Sequence, residues 1–534
     1  MSNFLHIWTM FQNTRCYKFL NKQAPVKLWL ALLWGAVAIL LGYFSVQFND
    51  TDLYYMIPTG RYILENGIPY TNPFCITEGL PIIIQNWLYC MGIAFIYNHL
   101  HTFGLWMAMI VQLLFMYFVL TEFFHIRSSR NKILIGFASA FIMAVFSYLS
   151  LRPEIITFVL VMTELLGIEK YRTTGKVCYA WLLPLTVLLE VNLHASYWVM
   201  HYILLLPYLV PVPKFLKLRN KAMTTAECNK IVLPLLTSAG CLFLNPYGYK
   251  NILYVFHSLQ SNVFSVVTIS EQQAFSIKSL YAAMVLFFLY LLRRAHRNRI
   301  LDSVSFFMGI GTFILVIDKI KWIAFFAIGF AYVIRCFTSE WEKNNRFNFG
   351  EIRIPMCCTV VLAAAYLVIG YAFVDYEPLF FDTKTDEYML KTNFVSISEE
   401  MNAIGDYLDE HDPDARIFAR FEHNNYFEFR GYRVFYDARP ELYVPEIAGK
   451  DLVAIAEKVH TKLDVVAYKN TEDITMQQAS LSYEDYDALM KSLPVDYFVL
   501  HRSETVPILY LESHPENFDL VHSGEQMVVY HVKG

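Results

Sequence analysis

Residues 28–48 read LWLALLWGAVAILLGYFSVQF, and NDTDLYYM follows at 49–56. The first stretch carries no charge and is long enough to cross a bilayer as a helix, which takes about 20 apolar residues. A helix satisfies its own backbone where there is no water to do so. Arg15, Lys18, Lys22 and Lys27 precede it and no small-residue cleavage site follows, so the pattern predicts a retained span and not a removed signal. Positive residues mark the cytoplasmic side, which places residues 1–27 inside and lets Asn49 and Asp50 emerge outside.

The whole composition agrees with that start. Of 534 residues, 56% are hydrophobic and only 17% charged, with a mean hydropathy of +0.36; soluble domains carry about 25% charged residues. An ordinary soluble enzyme is excluded. The net charge of −4 gives no basic excess for nucleic acid. The nine cysteines include no C-x-x-C pair and mostly sit in apolar runs, where they read as small buried hydrophobes.

Further apolar runs lie near 103–124, 133–149, 155–169, 177–191, 196–212, 231–244, 279–292, 301–317, 322–337 and 355–374, giving about eleven spans. Basic clusters follow the even-numbered ones: Arg127, Arg130 and Lys132; Lys170, Arg172 and Lys176; Lys214, Lys217, Arg219 and Lys221; Arg293, Arg294, Arg297 and Arg299; Lys343, Arg346 and Arg353. That is the alternation the positive-inside rule requires. Counting Ile82–Tyr97 as a span would invert every later loop. It is therefore expected to lie at the outer interface, with Trp87, Tyr89 and Tyr97 at headgroup level. The chain is thus expected to be an α-helical polytopic membrane protein over 28–374, with a large first external loop over 49–102. An extracytoplasmic α/β domain follows over 375–534. In that domain Ser396–Glu399 reads as a capping box opening a helix to about His411. Strands are expected at 416–419, 433–436, 495–500 and 527–532, with helices at 449–460 and 484–493.

Unusual polar groups collect at the external ends of the odd-numbered spans. They are Asp50 and Asp52, Arg152 and Glu154, Asn192 and His194, Asn245 and Tyr247, Glu271, and Asp318, Lys319 and Lys321. Ionisable groups at membrane depth are costly and tend to face a cavity and pair with one another. Together they suit a cleft for an anionic, polar substrate. Each has a plainer reading: Asp52 as a helix cap, Arg152 as a snorkelling side chain before a helix-breaking proline, His194 as an interhelical hydrogen-bond partner, and Lys319 and Lys321 as headgroup anchors. In the outer domain Asp437 and Arg439 read as a local ion pair in a turn, of little worth by itself.

Read together, the segments resemble a family of bacterial polytopic membrane proteins related to the GT-C glycosyltransferases. The family's opening pattern, D-x-D-L-W-W-H, G-x-x-I-L, P-x-x-D-P-F-S and E-W-L, is similar to Asp50–Met56, Gly60–Leu64, Pro69–Cys75 and Asn86-Trp87-Leu88. Arg152-Pro153-Glu154 resembles its R-P-Q, Asn192-Leu193-His194 its N-x-H, and Asn245-Pro246-Tyr247-Gly248 its N-P-x-G. Glu271 falls where the family has an external glutamate, Lys321 where it tends to have arginine, and Val434–Pro440 is similar to V-F-I-D-G-R. Met56, Asn72 and Asn86 depart from the pattern, replacing a histidine and two acidic residues.

The resemblance implies transfer of a hexose or pentose, as in mannosyl- and arabinosyltransferases. The donor would be a polyprenyl-phosphate-linked sugar, and the acceptor a cell-envelope glycan, lipid or protein outside the cell membrane. Arg152, Lys319 and Lys321 would hold the leaving phosphate. A first-loop aspartate would be the base. If Asp52 sits at a helix N-terminus it is the poorer base, which favours Asp50 and leaves Asp52 to position or to hold a cation. Tyr55, Trp87, Glu154, Asn192, His194, Asn245, Tyr247 and Glu271 would line the substrate pocket. Two carboxylates suit a hard divalent cation, though spacing alone establishes none. A flippase for lipid-linked sugars and a non-catalytic scaffold with a glycan-binding outer domain are the competing readings.

Overall fold

The computed structural model describes residues 52–124, 151–260, 280–318, 322–344, 398–460 and 482–533. The expected spans at 28–48, 133–149 and 355–374 lie outside them, as do Asp50, Glu271, Lys319 and Lys321.

The helical part begins with α1 (Asp52–Asn66) and α2 (Trp87–Phe123), then α3 (Glu154–Thr174) and α4 (Leu182–Leu193). It continues through α5 (Trp198–Ile203), α6 (Thr225–Cys241), α7 (Tyr249–Gln260), α8 (Leu280–Arg297), α9 (Ser303–Asp318) and α10 (Ile323–Asn344). Local chemistry sets several ends. Thr224 and Glu227 form a capping box at the start of α6, and Gly175, in the left-handed region, closes α3. Among the described residues, Phe103–Phe123 and Ile323–Glu340 are long and apolar enough to cross a membrane, while Val177–Leu193 and Ser303–Ile317 are shorter apolar helices. Val111, Phe115 and Phe118 on α2, Leu233 and Leu236 on α6, and Leu286 and Phe287 on α8 are exposed. A water-facing surface rarely gathers so many.

Two expectations are corrected. The run 196–212 is no single span: it breaks into short 3-10 turns and the six-residue α5. Pro207, Pro211 and Pro213 withhold the backbone donors that a continuous helix needs. Nor do Tyr89 and Tyr97 sit as interfacial anchors. Helix α2 starts at Trp87 and is interrupted at His101 (φ 54°), and its first half packs on α1, so that Tyr89 and Tyr97 are buried. Gly60 allows that approach, for a Cβ there would lie 2.1 Å from the Cys90 carbonyl oxygen and 2.6 Å from Ala94 Cβ.

The C-terminal part is an α/β unit: α11 (Ser398–His411), β1 (Arg416–Phe418), α12 (Phe421–Arg430), β2 (Arg433–Val434), α13 (Leu452–Val459), α14 (Tyr483–Ser492), β3 (Tyr497–His501), α15 (Thr505–Glu512), β4 (Phe518–Ser523) and β5 (Met527–Val532). The sheet order is β2-β1-β3-β5-β4. β1 is parallel to both β2 and β3, and β5 is antiparallel to β3 and β4. Ile417, Phe498, Val499, Leu500 and Val529 form its buried centre.

This unit is not set apart from the first loop. Cys75 pairs in parallel with Val434 beyond the β2 edge, through Ile76 N–H to the Val434 carbonyl (2.9 Å) and Val434 N–H to the Phe74 carbonyl (2.9 Å). The Tyr54 and Tyr97 rings meet Phe429 of α12 edge-on at 5.4 and 6.3 Å.

Candidate active site

Three helix ends converge. Asp52 is the first residue of α1, Glu154 the first of α3, and His194 directly follows α4. Pro153, just ahead of Glu154, is pre-set for a helix start, and it leaves Arg152 outside the helix. Arg152 Nε lies 3.4 Å from Asp52 Oδ2, and both side chains are about a quarter exposed (22% and 24%). His194 Nε2 lies 3.9 Å from Glu154 Oε1. A cation, two carboxylates and an imidazole therefore meet at one partly exposed place, where the α3 N-terminus adds its partial positive charge. Burial pulls His194 down to about 4; Glu190 opposes that shift and the Arg152 charge adds to it. At neutral pH the ring is uncharged.

Other expected site residues form the support around this place. Trp87 Nε1–H donates to Asn192 Oδ1 (3.1 Å), and the Asn192 amide donates to the Leu188 and Leu244 carbonyls (2.8 and 3.0 Å). Asn245 closes its own turn. Its oxygen accepts from Tyr247 N–H (2.9 Å), and its amide donates to the Leu242 and Gly248 carbonyls (2.9 and 3.3 Å). The Tyr247 hydroxyl donates to the Pro69 carbonyl (3.1 Å). Trp87, Asn192, Asn245 and Tyr247, expected to contact substrate, thus spend their polar atoms holding α2, α4 and the first loop together. Tyr55 is buried beneath the Arg439 guanidinium, 4.7 Å from its ring centre.

Asp437 and Arg439 are far from an isolated surface pair. Arg439 Nε and Nη2 donate to Asp437 at 3.0 and 2.5 Å, and Nη1 reaches Thr59 on α1 at 3.4 Å. The Tyr443 hydroxyl donates to Asp437 (2.7 Å) and accepts from the Asn72 amide (3.1 Å). Glu428 stands 3.5 Å from Arg439 and is buried. Burial pushes its carboxyl well above the usual carboxylate range, against the pull of Arg439.

Sequence reasoning passed over Thr157, Glu164, Glu190 and His201, all buried near His194. The signal was present: acidic residues inside apolar runs are by default candidates for function. Among the described residues no group of three or more histidines, cysteines and carboxylates is placed to hold a metal ion.

No protein-family model and no curated protein matches the sequence. Among solved structures, the chain is similar to the apo oligosaccharyltransferase of Archaeoglobus fulgidus, with 12% identity and a TM-score of 0.43 over 90% of this chain and 70% of that one. It is similar to the same enzyme tethered to an acceptor peptide, with 11% identity and a TM-score of 0.44 over 93% and 74%. A third similarity is to the arabinofuranosyltransferase AftD from Mycobacteria, with 13% identity and a TM-score of 0.49 over 96% of this chain and 40% of that one.

Proposed function

We propose that the chain is an integral membrane glycosyltransferase of the GT-C kind, moving a sugar from a polyprenyl-phosphate donor to a cell-envelope acceptor on the external face. The observation that carries this reading is the meeting of Asp52, Arg152, Glu154 and His194 at three helix ends. Their sequence motifs are the ones that resemble the family. The donor's lipid tail stays between helices and its phosphate lies against Arg152, with Lys319 and Lys321 as further cations. Asp52, engaged with Arg152, orients the guanidinium. Asp50, two residues earlier, accepts the proton of the acceptor hydroxyl. That oxygen bonds to the anomeric carbon, the bond from carbon to the phosphate oxygen breaks, and the electron pair leaves on the phosphate, where the cations stabilise it.

The test is turnover and binding of a polyprenyl-phosphate sugar by the full chain in membranes. Asp50→Asn should lower turnover by about 10²-fold or more while donor binding persists, the usual scale for losing a general base. Asp52→Asn should chiefly weaken donor binding. A flippase would keep moving lipid in the Asp50→Asn, Asp52→Asn double variant, and a scaffold would be indifferent to it; either result would overturn the reading.

A further inference from the structure

A threonine hydroxyl has one proton, and that of Thr157 has two candidate partners. Thr157 Oγ1 lies 2.7 Å from Glu190 Oε1 and 2.7 Å from His194 Nδ1. All three side chains are buried. The Thr157 hydroxyl donates to Glu190 Oε1, and it has no second proton to give. Thr157 then meets His194 only through a lone pair, and Nδ1 must supply the hydrogen. With Nδ1 protonated and the ring neutral, Nε2 carries a lone pair, and Nε2 is the nitrogen turned toward Glu154.

We infer that Thr157 and Glu190 are positioning residues that lock His194 in its Nδ1–H tautomer, so that Nε2 offers a hydrogen-bond acceptor to a hydroxyl of the bound sugar. The identity of that ligand rests on the transferase reading above; the lock does not. The arrangement gives the site two unlike ends. Arg152 and the α3 N-terminus attract an anion, whereas an imidazole lone pair beside Glu154 repels one and welcomes an O–H donor. His194 belongs to the sugar side and Arg152 to the phosphate side.

Three groups surround the ring. Glu154 faces Nε2, Arg152 adds positive charge, and the Tyr197 ring packs edge-on at 5.0 Å. Burial, which holds the imidazole down to about 4, keeps it neutral in the range where a lone pair is needed. The second oxygen of Glu190 faces His201 Nε2 at 3.7 Å, and His201 Nδ1 is hydrogen-bonded to Glu164. The lock is thereby anchored on α3, α4 and α5 at once.

The experiment is nitrogen NMR at neutral pH on the full chain labelled with ¹⁵N-histidine, with the His194 signals assigned by their loss in His194→Gln. The expected result is a protonated Nδ1 and an unprotonated Nε2, retained in Thr157→Ser. In Glu190→Gln the amide can turn either its oxygen or its nitrogen to Thr157, and where the nitrogen donates, the hydroxyl proton is freed for Nδ1, so the preference should weaken. Thr157→Val should abolish the preference; if that variant does not fold, Thr157→Ser and Glu190→Gln carry the comparison. A protonated Nε2 in the unmodified chain, or a tautomer unmoved by Thr157→Val, overturns the inference. In parallel, turnover of a polyprenyl-phosphate sugar should show a roughly tenfold rise in donor KM for Glu190→Gln and little change for Thr157→Ser, about 1.4 kcal/mol of lost binding. No turnover by the unmodified chain would overturn the transferase reading alone, since the nitrogen signals decide the lock independently.

Discussion

Arg439 illustrates what a single side chain does when three others depend on it. Buried with Asp437 and Glu428, it is the one cation in contact with both carboxylates among the described residues. Removing one partner of a buried ion pair is strongly destabilising because it strands the other charge. Arg439→Ala should therefore cost about 3–5 kcal/mol. Glu428→Gln should change stability by no more than about 1 kcal/mol, since burial already drives that carboxyl toward its neutral form and neither of its oxygens has a hydrogen-bond partner among the described residues. Thermal unfolding of the full chain measures both, and a Glu428→Gln loss as large as that of Arg439→Ala would show Glu428 to be ionised. The sequence could show that Asp437 and Arg439 are two apart and near a turn. It could not show Thr59 or Glu428 beside them, because no periodicity links positions so far apart in the chain. Thr157 and Glu190 were readable in principle, as polar groups in apolar runs, but their connection to His194 needed the helices to be placed side by side.

At the scale of elements, hydrophobic runs were legible because burial in protein and burial in lipid both select for them. Helices α3, α4, α6, α8, α9 and α10 fall where apolar stretches predicted, and the β1, β2, β3 and β5 segments fall where β-rich runs stood between turn residues. Helices α12 and α15 and strand β4 were not anticipated: PheGluHisAsnAsnTyrPhe opens α12 with polar residues that are buried by tertiary contacts and not by a stripe. The glycine of the Gly60–Leu64 motif acquires a physical reason here, since its missing side chain lets α1 lie against the Cys90 carbonyl. Overpacking a close contact costs about 1–3 kcal/mol, occasionally more. Here the obstacle is backbone, so Gly60→Ala should reach at least about 2 kcal/mol. The shift of α1 would carry Asp52 away from Arg152, so turnover should fall further than unfolding of the population explains. Measuring activity per folded molecule separates the two effects; unchanged specific activity would mean that α1 position does not govern the site.

Across the whole molecule, the joint between the helical part and the C-terminal α/β unit was not anticipated. The first loop adds residues 74–76 to the β2 edge, Asn72 reaches Tyr443, Arg439 reaches Thr59, and Phe429 packs on Tyr54 and Tyr97. These contacts make α1, which carries Asp52, a neighbour of the sheet as much as of α2. Cooperative units lose protection together when their shared core is damaged. Phe498 sits at the centre of β3 and is fully buried, so Phe498→Ala should cost about 3–5 kcal/mol. Native-state hydrogen exchange on the full chain should then show faster exchange at β1, β3 and β5. Because the edge is continuous, the increase should extend to residues 72–76 and to the first turns of α1. Helices α8, α9 and α10, packed together through Phe288, Phe313 and Phe326 in a core of their own, should keep their protection. If residues 72–76 stayed protected while β1 and β3 opened, the loop would owe its order to the helices alone, and the α/β unit would have no hold on α1.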